Sequence, residues 1–113
     1  NNNFISHEEY SEIIIYNFET KEYRKMFNDQ LLKENFKTYS EGLSHIFEDG
    51  SLIVEEQNHG RLILFNKDGN KEWEFVNKDI NGDIGITHWI RVIEDELFID
   101  KFKTLVENKK CKN

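Results

Sequence analysis

Apolar and polar positions alternate most regularly between residues 43 and 77, LSHIFEDGSLIVEEQNHGRLILFNKDGNKEWEFVN. Apolar runs at 43–48, 52–57, 61–66 and 71–77 are separated by Asp49-Gly50, Asn58-His59-Gly60 and Asp68-Gly69. Asp-Gly between apolar runs signals a hairpin, because a primed turn needs φ > 0 and glycine accepts it without a Cβ clash. The pattern therefore predicts two hairpins back to back, a four-stranded antiparallel meander of the kind from which propellers are built.

The flanking pattern extends this reading. Residues 11–18, SEIIIYNF, are β-branched and aromatic and predict a buried strand. A polar turn at 19–22 leads to a returning strand at 23–28. Residues 29–34 predict one helical turn with Asp29 as N-cap, and 38–42 lead into the meander. NKDINGDIG at 77–85 is a loop by composition, and ITHWIRVI at 86–93 alternates like the first strand of a further sheet. The tail has two readings. Repetition predicts a strand at 97–99, whereas periodicity puts Phe98, Phe102, Leu105 and Val106 on one helical face. Asp95 and Glu96 stand where a helix dipole favours them, so a helix over 95–108 is the preferred reading, with 109–113 frayed.

Two internal echoes suggest a repeat. Residues 11–17 align with 60–66: three branched aliphatics, an aromatic and an Asn in the same order, 49 positions apart. More weakly, 47–54 align with 93–99. Repeats of short strands at 40–50 residues indicate propeller blades or another β-array. The expected architecture is mainly all-β: a partial β-propeller with a half blade at 11–28, a full blade at 43–77, the start of a next blade at 84–94 and a short C-terminal helix. A closed ring needs at least four blades, so strand edges here call for a partner or further blades upstream.

Composition narrows the function. The 113 residues form one domain or part of one, and the start at Asn1 reads as a cut or processed end. A formal net charge of −7 repels phosphate backbones and argues against nucleic acid as a partner. No apolar run is long enough to span a membrane. Cys111 is the sole cysteine, either a free thiol near the end or the partner of an upstream cysteine in an oxidising compartment. Pro and Ala are absent, which reads as coding bias.

The string from Glu41 to Asn77, above all Glu55-Glu56-Gln57-Asn58-His59-Gly60-Arg61-Leu62, resembles the late blades of bacterial arylsulfotransferase-like propeller proteins. The hairpin SEIIIYNFETKEYRKMF and the segment His88-Trp89-Ile90-Arg91 are also similar, so the resemblance runs from about Asn3 to Ile93. It implies a six-bladed propeller, usually periplasmic or at the cell surface. Characterised members transfer a sulfuryl group from a phenolic sulfate ester to another phenol through a sulfated histidine, with no nucleotide sulfate donor. Much of such a site would lie upstream of Asn1, so the chain by itself is expected to be inactive.

Sulfuryl transfer needs a nucleophile, an acid for the leaving phenolate and cations for the sulfate oxygens. The candidates are His45, His88 and Arg91 as catalytic residues and His59 and Arg61 as substrate-binding residues. His45 and, by the weaker echo, Arg91 are expected near the axis. His7 is the least promising histidine. No cofactor and no metal are implied. Adjacent Glu55 and Glu56 point to opposite faces of a strand and cannot share one acid–base site. Asp79, Asn81 and Asp83 have the spacing of a calcium loop, but Gly82 is misplaced and Ile90 stands where a bidentate Glu is needed, which favours a plain turn. The competing function is a non-enzymatic propeller that binds a ligand or protein, since propeller folds host many functions. A third reading is an independent small β-sheet domain with a capping helix.

Overall fold

The computed structural model describes residues 10–109. His7 and Cys111, with the expectations attached to them, lie outside this range. The fold is mainly β. Strands β1 (Ile13–Asn17) and β2 (Glu22–Met26) form an antiparallel hairpin. Helix α1 (Asn28–Lys33) follows. Strands β3 (Ser44–Ile46), β4 (Leu52–Glu56), β5 (Arg61–Phe65) and β6 (Lys71–Val76) form a four-stranded antiparallel sheet in sequential order. Helix α2 (Glu96–Asn108) closes the described chain.

The meander lies where the alternating pattern places it, but its turns differ in type. Positive φ falls on Gly50 and Gly69 and not on the aspartates before them, so these are not primed two-residue turns. In each, the glycine amide bonds the carbonyl three residues back (Gly50 to Phe47, Gly69 to Asn66), and the strands close one residue later, Phe47 N to Ser51 O and Asn66 N to Asn70 O. This is the three-residue hairpin, a type I turn followed by a left-handed glycine. The same turn recurs at Asp79–Asp83, where Gly82 takes the positive φ and Lys78 bridges Ile84. Short polar side chains brace the loops: Asn66 Oδ1 accepts from the amides of Asp68 and Asn70, and Asp79 Oδ1 from those of Asn81 and Asp83. Asp79 is thereby committed to a plain turn.

One face of the four-stranded sheet makes the core. Leu52, Val54, Ile63 and Phe65 are buried there against Met26, Leu31 and Phe36, with Ile13 and Ile15 packed at the edge. Helix α1 enters differently from the expectation. Its N-cap is Phe27, in the left-handed region at φ 50°, with no side-chain cap, and Asp29 sits in the first turn. The Phe27 ring packs 6.0 Å from that of Phe65, and this contact turns the chain sharply out of β2 where a polar cap would have left it in solvent.

The other face carries His45, Ile53, Leu64 and Trp73 in one cross-strand row, then Glu55, Leu62 and Phe75 in the next. Trp73 and Phe75 stack at 6.3 Å and remain largely exposed. Both faces of this sheet carry apolar residues, and among the described residues only one is fully covered.

The expected strand at 86–93 does not form. Thr87 N bonds Gln57 O, Gly85 N bonds Asn77 O, and Trp89 takes a positive φ that breaks an extended run. With its amides drawn to the sheet end, the segment offers no ladder. The weaker echo fails with it, because 93–99 runs into α2. That helix begins as its periodicity predicts: Asp95 is the N-cap and accepts from Phe98 N at 2.7 Å. Its face of Phe98, Phe102, Leu105 and Val106 is more than half exposed. No helix among the described residues is long and apolar enough to cross a membrane. The radius of gyration is 16.7 Å, against about 13 Å for a compact chain of similar length, because α2 stands off the sheets.

Candidate functional site

The two adjacent carboxylates of β4 organise the polar chemistry. Alternation sends Glu56 to the core face and Glu55 to the other, and both are about 1% exposed. Glu56 is fully engaged. It accepts from Lys37 N at 2.5 Å and from Arg61 Nε at 2.6 Å, and His59 Nδ1 lies 3.1 Å away. Arg61 reaches further, donating to the Glu34 carbonyl at 2.9 Å and approaching Glu74 at 3.5 Å. Both residues expected to bind substrate thus converge on one buried carboxylate and tie β5 to the end of α1. A charge taken out of water is held this way, by a close counter-ion and further donors.

The expected catalytic residues lie toward the opposite face. His45 on β3 holds Glu94 at 2.9 Å through Nε2 and meets the Phe47 ring edge-on at 4.8 Å. His88 lies on the segment after the last hairpin, where its Nδ1 accepts from Gln57 Nε2 at 2.8 Å. Arg91 folds back over the Trp89 ring at 5.3 Å and donates to the Trp89 and Ile90 carbonyls. His88, Trp89 and Arg91 therefore gather at one end of the sheet, His45 sits along its face with Glu94, and His59 and Arg61 lie behind it.

Sequence reasoning missed the residues with unmet chemistry. Glu55 Oε1 and Gln57 Oε1 are buried and have no hydrogen-bond partner among the described residues. Both line a cleft of about 420 Å³, together with Thr38, Ser40, Glu41, Leu43 and Trp89. For Glu55 the signal was present in the alternation of β4, but its meaning depended on what covers that face; Gln57 lies in the tight turn that follows the strand, where alternation does not apply. Among the described residues no group of three His, Cys, Asp or Glu side chains is placed to hold a metal ion.

Compared with family models, curated proteins and solved structures, the chain matches none.

Proposed function

We propose that the chain is a propeller-type repeat module, a half blade followed by a full blade, that acts by binding rather than by catalysis. One observation carries this reading. In the stronger echo, Ile13 and Ile15 align with Leu62 and Leu64. Ile13 and Ile15 pack against the core face of the four-stranded sheet, the face of Ile63 and Phe65. Leu62 and Leu64 occupy the equivalent face of the full blade, with Trp73 and Phe75 beside them and, among the described residues, no sheet on top. Applying the same step once more lays a further blade on that face. A head-to-tail stack of this kind, each sheet apolar on both sides, is how blades succeed one another.

The charge distribution supports binding over sulfuryl transfer. Arg61 is committed to Glu56, Glu74 and the Glu34 carbonyl, and the net charge is −7, so a sulfate ester meets few available cations. The test is self-association measured by light scattering against concentration. The uncovered face is expected to drive association of the chain, and a Leu64→Lys, Trp73→Lys pair to abolish it. A monomer at every concentration, unfolding cooperatively in two states, would point instead to an independent small domain.

One feature favours the arylsulfotransferase-like reading: the His45 imidazole is oriented by the Glu94 carboxylate, as a nucleophilic histidine requires. It is tested by sulfuryl transfer from an aryl sulfate to a phenol in a protein carrying this chain. Activity unchanged by His45→Ala removes His45 from the site.

A further inference from the structure

We infer that the cleft at the end of the four-stranded sheet is a binding site for a primary alkylammonium group, with the Glu55 carboxylate as its anchor. This goes beyond the blade reading and does not depend on it.

A buried carboxylate oxygen without a donor forfeits the hydrogen bonds that water would give it, a loss that is larger for a charged group than for a neutral one. Its neighbour on the same strand shows the usual remedy, since Glu56 has an arginine, a histidine and a backbone amide around it. Among the described residues Glu55 has none of these at Oε1, and Gln57 Oε1, two residues on and lining the same cleft, also lacks a donor. Two unmet acceptors converging on one cleft call for a ligand that only donates. An ammonium group has three donors and no acceptor.

The walls favour an organic cation over a bare metal ion. Hard divalent cations take six or more oxygen ligands; Glu41 also lines the cleft, but among the described residues no third His, Cys, Asp or Glu joins it and Glu55 in a group that could hold a metal ion. Leu43 and the Trp89 indole also line it, apolar surfaces suited to an alkyl chain. Trp89 holds its position at a backbone cost: φ is 55°, in the left-handed region that a bulky side chain rarely adopts. Arg91 already lies over that ring at 5.3 Å, which leaves the indole edge to the alkyl chain and the ammonium to Glu55 and Gln57. A volume near 420 Å³ falls in the range of small-molecule sites.

The experiment titrates the chain with n-butylammonium chloride, following tryptophan fluorescence and amide NMR shifts, with n-butanol and calcium chloride as comparisons. Saturable binding that shifts Glu55, Gln57 and Trp89 is expected, with n-butanol at least tenfold weaker. Glu55→Gln, which keeps the shape and removes the charge, is expected to weaken binding tenfold or more while leaving the ligand-free unfolding midpoint unchanged or higher. Trp89→Leu, at an exposed position, is expected to weaken it severalfold, and decides the matter with n-butanol if Glu55→Gln does not fold. Equal binding of n-butylammonium and n-butanol, no loss in Glu55→Gln, a lowered ligand-free midpoint in that variant, or calcium binding in place of the amine would each overturn the assignment.

Discussion

Glu55 and Glu56 are neighbours in one strand, equally buried, and could hardly be treated more differently. Glu56 faces the core layer and is surrounded by donors; Glu55 faces the other way, into a cleft with an acceptor beside it. The apolar residues around them repeat the contrast. Leu52, Val54, Ile63 and Phe65 are sealed by α1 and the first hairpin, whereas Leu62, Leu64, Trp73 and Phe75 are left partly open. One face of the sheet holds the molecule together, and the other is only partly covered.

The largest expected effect tests the sealed face. Phe65→Ala should cost about 3–5 kcal/mol, the usual range for a buried phenylalanine. In a chain this small that is enough to abolish cooperative unfolding by circular dichroism. A loss below about 1 kcal/mol would show that this face is not the core. Next comes the pair of carboxylates. Glu56→Gln strands the Arg61 guanidinium and should cost about 3 kcal/mol in a denaturant titration, while Glu55→Gln should cost nothing. Equal costs would erase the distinction between the faces.

A glycine links the faces. Gly60 has φ +56°, and a Cβ there would sit 1.9 Å from the Gly85 carbonyl oxygen. Gly60→Ala should therefore cost more than the ~1–2 kcal/mol of a left-handed alanine. It should also raise hydrogen exchange at Asn77 and Gly85, whose amides bond Gly60 O and Asn77 O. Unaltered exchange would mean that the 85–94 segment is not anchored through this glycine. On the open face, Trp73→Lys should change the stability of the chain by no more than about 0.5 kcal/mol, as surface substitutions do. A larger loss would mean that Trp73 already belongs to a core.

The smallest effect is in the turns. The Asp83 and Asn81 amides hold the Asp79 carboxyl below its ordinary value of 3.8, and the Ser51 hydroxyl and amide do the same for Asp49. A lowered value in the folded state means that each carboxylate stabilises the fold above about pH 4 and that this is lost as pH falls through the folded value. Lys71 is shifted the other way by Glu34 and Glu74, so its contribution holds through neutral pH and is lost only as pH rises through its raised value. Carboxyl NMR titration checks the first pair; ordinary values for Asp49 and Asp79 would mean that the turns are not braced by them.

Local pattern determined a good deal by itself. Alternation placed the four strands of the meander and the first hairpin, because a period of two permits only a strand with two distinct faces. The 3.6-residue period and Asp95 placed α2, since its cap and its apolar stripe are both written within the helix. Tertiary structure decided the rest. The alternating run at 86–93 joined neither edge of the sheet: Thr87 N bonded the Gln57 carbonyl, the Ile86 carbonyl accepted from Asn77 Nδ2, and Trp89 turned the backbone out of an extended run. Phe27 displaced Asp29 as the start of α1 because a ring packed on Phe65 outweighs a polar cap at that corner. Alternation could say that Glu55 and Glu56 part company, but not which would find an arginine. The turn at 57–60 fixed that, since it sets Arg61 opposite Glu56 and keeps His59 beside it, and Lys37 joined them only once the segment after α1 had met the sheet.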